Sequence, residues 1–115
     1  MSQQEELGMK DEAAPKVERL ADLVSYQEGS VISRTILDKD AGTVTLFAFD
    51  AGEGLSEHTT PYDAMVAILD GKAEIKIGGE LFLLGEGETI VMPADVPHAL
   101  RAVERFKMLL VMVKA

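Results

Sequence analysis

Cysteine and tryptophan are absent from this 115-residue chain, and histidine occurs only twice. Without cysteine there is no disulfide, no thiolate nucleophile and no cysteine-based zinc site. Aromatic residues make up 5%, so aliphatic side chains and the 6 methionines must fill the interior. No apolar run is long enough to span a bilayer. The opening stretch, MSQQEELGMKDEAAPK, is polar and mostly acidic, with no basic-then-apolar leader. Positive charge is scarce as well: 11 Lys and Arg against 20 Asp and Glu leave a formal net charge of -9. Such a surface repels phosphate backbones and anionic headgroups, so neither nucleic acid nor membrane is an expected partner. A cytoplasmic protein is the expectation. No nucleophile with a base and an orienting group, no phosphate loop and no dinucleotide fingerprint is visible, which leaves hydrolase, kinase and dehydrogenase readings without support.

What is present describes one domain. Apolar residues are 47% and charged residues 27%, ordinary for a globular chain, and the length suits a single core. Residues Met1 to Ala14 have little apolar content and no periodicity, and read as a disordered acidic tail. The domain then runs from Pro15 to Ala115. In PKVERLADLV, Val17, Leu20 and Val24 fall at helical spacing, but the segment is too short to be stable alone. It is expected to lie as a single helical turn or an extended arm against the body. GSVISRTIL and TVTLFAFD follow as strands separated by the turn DKDAG. After them, AGEG, TTPYD, DG, GGE, GEGE and PADVP alternate with AMVAIL, AEIKI, LFLL, TIVM, HALRAV and FKMLLVMV. Short strands with Gly, Pro and Asp at this spacing predict an all-β sandwich or barrel. Gly78-Gly79 is the sharpest hairpin signal, because two-residue loops need positive φ. AMVAIL and MLLVMV lack clean alternation, which predicts strands covered on both faces.

With the strands placed, the punctuation residues take on a pattern. Gly52, His58 and Gly71 carry the spacing of one motif; Gly87, Pro93 and His98 carry that of a second. In these positions the chain resembles the cupin superfamily. The first cupin motif has a second histidine and a glutamate where this chain has Thr60 and Ala64. The second motif has a glycine and an asparagine where this chain has Asp95 and Ala102. The resemblance implies a jelly-roll β-barrel of two antiparallel sheets, open at one end and commonly a homodimer. It also implies that His58 and His98 project into the barrel from facing strands.

Standard cupins use three histidines and a carboxylate to hold a divalent transition metal, such as iron, manganese, nickel, copper or zinc. Two of those four ligands remain here, His58 and His98. Two imidazoles and water bind a divalent ion much more weakly than a full set. Glu57 neighbours His58 and so points to the opposite face of an extended strand. Asp63 adjoins the Ala64 slot and is the one candidate replacement ligand, provided a bulge changes the parity there. Thr60, Tyr62, Met65 and Met108 are the expected pocket residues, with Met92 and Met112 as further cavity methionines. Losing a histidine and a carboxylate makes the interior more apolar, which suits a small, largely apolar or aromatic ligand. Three functions follow: a metal-dependent oxygenase, isomerase or decarboxylase of cupin type; a metal-free module that binds or senses a small molecule; and a structural dimeric barrel.

Overall fold

The computed structural model describes residues 14–114. The tail expected over residues 1–14 falls, apart from Ala14, outside the described residues. Seven strands are present among them: β1 (Val31–Lys39), β2 (Gly42–Phe49), β3 (Gly54–His58), β4 (Asp63–Ile77), β5 (Glu80–Gly85), β6 (Thr89–Met92) and β7 (His98–Val113). All pairings are antiparallel, in the order β1-β2-β7-β4-β5, with β3 added on β7 and β6 added on β4. The all-β expectation is met, with every strand in an antiparallel pairing.

Two strands are longer than the turn chemistry suggested. AMVAIL and AEIKI are one strand, β4, that passes straight through Asp70-Gly71. HALRAV and FKMLLVMV are likewise one strand, β7. The pair keeps contact along its whole length but shifts register twice, between Ile68 and Asp70 and between Gly71 and Ala73. Bulges add local twist, and here they let two long strands serve both halves of the barrel. Below the bulges β7 pairs with β2 and β4 with β6; above them β7 pairs with β3 and β4 with β5. Gly71 is needed at this bend. Its φ is 77°, and a Cβ there would sit 1.9 Å from the Arg105 carbonyl oxygen. The Gly78-Gly79 hairpin is as the sequence predicts, with both φ values positive and Ile77 paired to Glu80.

The core lies between the two halves. Phe49 and Phe106 stack at 4.4 Å and are fully buried, among Val66, Ile68, Ile75, Met92 and Met108. Burial on β4 alternates cleanly from Asp63 to Ile68, contrary to the expectation of cover on both faces. The outer face is in fact divided. One part is covered by the segment before β1, a short 3-10 turn at Leu20–Leu23 followed by an extended stretch. Val24 is buried there against Leu46 and Ala48, with Leu23, Tyr26, Ile32, Leu69 and Leu109 around them. Val17, expected on the buried stripe, is fully exposed. Polar contacts pin this arm: the Tyr26 hydroxyl donates to Asp70, Lys107 Nζ donates to the Ala21 carbonyl at 2.6 Å, and the Arg105 guanidinium lies 4.5 Å from the Tyr26 ring centre. The other part of the outer face is bare. Along it Leu37, Val44, Val111, Met65 and Val91 form one cross-strand row, in register over five strands.

Candidate functional site

His58 ends β3 and His98 begins β7, and the pairing of these strands is irregular where they meet. Leu55 pairs with Leu100, yet His58 pairs with His98. From Leu55 the chain takes three steps on β3 against two on β7, so β3 carries one extra residue. Regular pairing would have brought Glu57 opposite His98. The bulge puts His58 there instead. His98 also pairs with Ile77 of β4 on its other side and is 4% exposed, whereas His58 lies open to solvent.

The two rings converge. Their centroids are 4.3 Å apart, the planes cross at 70°, and Nε2 faces Nε2 at 3.1 Å. The opposite nitrogens are committed in the same way on both rings. His58 Nδ1 lies 2.8 Å from the Ser56 carbonyl oxygen, and His98 Nδ1 lies 3.2 Å from that of Val96. A carbonyl oxygen only accepts, so each Nδ1 carries the proton in these contacts. When both rings are neutral, their Nε2 atoms then present lone pairs to each other. Two facing lone pairs are satisfied by a cation or a donor placed on them. Each of these carbonyls belongs to the residue two before its histidine, a feature of local backbone geometry that no side-chain pattern signals. Burial pushes the His98 pKa below the ordinary histidine value; the Val96 carbonyl opposes that shift and the nearby His58 adds to it.

The other expected ligands lie elsewhere. Among the described residues no three His, Asp or Glu side chains are grouped closely enough to hold a metal ion. Asp63 starts β4 on the exposed side, with buried Ala64 following it, and its Oδ1 accepts the Ala94 N–H at 2.8 Å. No bulge interrupts β4 before Ile68, so Asp63 keeps the outward parity of its position and is not a third ligand. The donor set therefore fits an ion held by two imidazoles, with its other positions left to water or ligand. It does not fit one enclosed by protein atoms.

The expected pocket residues separate. Thr60 Oγ1 donates to the Tyr62 carbonyl at 3.2 Å, within the loop after His58. The Tyr62 ring lies 5.5 Å from Lys114 Nζ. Met108 is fully buried in the main core. Met65 faces outward, 38% exposed beside Val91, Val111 and Val113, because it alternates with buried Ala64 and Val66. Its place in a barrel pocket is corrected accordingly.

Comparison with known proteins points one way. The family model described as a cupin domain matches residues 45–114. A conserved protein of unknown function from Streptococcus pyogenes is 46% identical, with a TM-score of 0.85 over 89% of this chain and 90% of that one. A cupin superfamily protein from Desulfitobacterium hafniense is 29% identical, with a TM-score of 0.84 over 89% and 94% of the two chains. Among curated proteins, a Streptomyces cyaneus protein named polyketide synthase CurC is 33% identical over 64 residues. That match spans 55% of this chain and 42% of the relative, so this chain accounts for less than half of the relative's length. Among the described residues no helix is long and apolar enough to cross a membrane.

Proposed function

The chain belongs to the cupin family, and from that premise we propose that it binds a small molecule at the His58–His98 pair, through a weakly held divalent transition metal. The observation that carries this reading is the convergence of the two Nε2 atoms at 3.1 Å, each ring anchored through Nδ1 to a backbone carbonyl. Metal-ligating histidines usually donate their second ring nitrogen in this manner, which fixes tautomer and orientation. Zinc, nickel, iron, manganese and copper all accept imidazole nitrogen. A bound ion would supply Lewis acidity to a ligand in its open positions. The chain's own part is to hold two neutral imidazoles in place, one shielded and one open to the approaching molecule.

Elemental analysis of protein purified without an affinity tag tests this. Metal at substoichiometric levels, restored by soaking and abolished in His58→Ala, supports it. No transition metal after soaking removes it. A second reading rests on the same atoms: a donor group of a metal-free ligand can satisfy the paired nitrogens. Thermal-shift hits among small carboxylates, phenols and polyketide-type compounds that survive chelator would favour it. The polyketide arm follows from the name of the Streptomyces relative.

A homodimer in the cytoplasm is part of the proposal. The row Leu37, Val44, Val111, Met65 and Val91 supports it: the row carries no charge in a chain of net -9, so two copies can meet there without opposing like charges. Val111→Glu is expected to yield a folded monomer by light scattering; an unchanged dimer would place the interface elsewhere.

A further inference from the structure

The two histidines sit at the ends of different loops, and their spacing depends on what holds those loops together. His58 leads into residues 59–62 and then β4, while residues 93–97 lead into His98. Two hydrogen bonds cross between these connections. Asp63 Oδ1 accepts the Ala94 N–H at 2.8 Å, and the Thr60 carbonyl accepts the Asp95 N–H at 2.8 Å. Directly after the two donor groups the backbone is unusual: Asp95, at φ 64°, is the one non-glycine residue with positive φ among the described residues. The successive N–H groups of Ala94 and Asp95 both bond across to the segment that follows His58. On the far side, the Pro97 carbonyl accepts the Gly78 N–H at 2.8 Å, tying the same loop to the β4–β5 hairpin.

From this arrangement we infer that Asp63 is the positioning residue of the histidine pair: its carboxylate ties the loop that carries His98 to the loop that follows His58. The inference rests on the proposed role of the pair, but the tie itself is visible without a metal. An ionised carboxylate accepting a backbone N–H is a charge-assisted bond, stronger than its neutral equivalent. It is the side-chain member of the two cross-loop bonds; the other, Thr60 to Asp95, is backbone to backbone. Side-chain substitution can therefore remove one tie and leave the other. Asp63 thus acts on the site through the backbone of residues 94–98, not as a ligand.

A ligand and a positioning residue respond differently to Asp63→Asn. The amide oxygen of asparagine can still accept the Ala94 N–H, but it is a much poorer metal ligand than a carboxylate. Cobalt(II) and zinc(II) titrations of the full chain, followed by calorimetry, are the first measurement. Asp63→Ala is expected to weaken binding about tenfold and Asp63→Asn about twofold or less, as for the loss and the retention of one hydrogen bond. Thermal midpoints of both variants should stay near that of the unaltered chain, since Asp63 is exposed. The second measurement uses metal-free protein: amide exchange at Ala94 and the imidazole nitrogen resonances of His58 and His98. Faster exchange and shifted resonances in Asp63→Ala, restored in Asp63→Asn, support the inference. Asparagine as damaging as alanine, with Ala94 exchange unchanged, would make Asp63 a ligand and overturn it. Alanine indistinguishable from the unaltered chain in both measurements would overturn it too. If the unaltered chain takes up neither ion, the metal reading of the pair fails by itself, and the metal-free measurement still decides the role of Asp63.

Discussion

The centre of the barrel and its histidine end are built on opposite terms. At the centre, Phe49, Phe106, Val66, Ile75 and Met108 have no exposed surface, and the strands on either side are long and continuous. At the histidine end, β3 is five residues long and bulged, His58 is open, and the site is framed by two loops joined by one backbone bond and the Asp63 carboxylate. One region is held by apolar area removed from water, the other by a few directional bonds. Stability and the proposed binding are accordingly separable here, and single substitutions should tell them apart.

The largest effect is expected at the centre. Phe106→Ala deletes a fully buried ring stacked on Phe49, and should lower stability by about 3–5 kcal/mol in urea unfolding. A loss below about 1 kcal/mol would mean that the core collapses freely around the gap. Next is the bend that lets β4 serve both halves. Gly71→Ala introduces a Cβ on a residue with φ 77°, against the Arg105 carbonyl. A cost of about 2 kcal/mol or more is expected; a neutral result would show that β7 can move aside. The mouth should behave in the reverse sense. His58→Ala is expected to change stability by about 0.5 kcal/mol or less, as for an exposed position, while abolishing metal uptake. If stability fell as far as in Phe106→Ala, the contrast between the two regions would be lost.

The smallest expected effect is a pH dependence at His98. Burial holds its folded pKa below the ordinary histidine value, so on acidification the unfolded chain takes up this proton first. The stability involved is therefore present above the unfolded pKa and lost as pH falls through the folded one. Comparing unaltered protein with His98→Gln between pH 7.5 and 5 isolates this contribution. The difference should decline toward acid; a difference that grows toward acid would contradict the burial argument.

Much of this was legible in the residues themselves. The Gly78-Gly79 hairpin, the strands at β1, β2, β5 and β6, and the helical turn before Val24 all follow from local chemistry: positive φ, β-branched runs and short helical spacing. The meeting of His58 and His98 was an expectation from resemblance; the rings do meet, but from the paired neighbours β3 and β7 and not from facing strands, and His58 is exposed. Other features had no local signature. Asp70-Gly71 reads as a turn, and becomes a bulge only because a neighbouring strand, β7, continues beside it. Met65 reads as a cavity residue until the burial of Ala64 and Val66 assigns the faces. Asp63 reads as a substitute ligand until its oxygen is seen on the Ala94 amide. The extra residue in β3 is the sharpest case: Glu57 and His58 are adjacent, and the residues alone do not say which meets His98.

The sequence by itself determined an all-β chain with its turns, its hairpin and a core of aliphatic and methionine side chains. Those properties depend on backbone preference and side-chain polarity, which act over a few residues. Tertiary structure alone decided which face each residue took, where the long strands shifted register, and which groups met at the mouth. Register is a relation between two strands: one added residue exchanges every side chain beyond it from one face to the other.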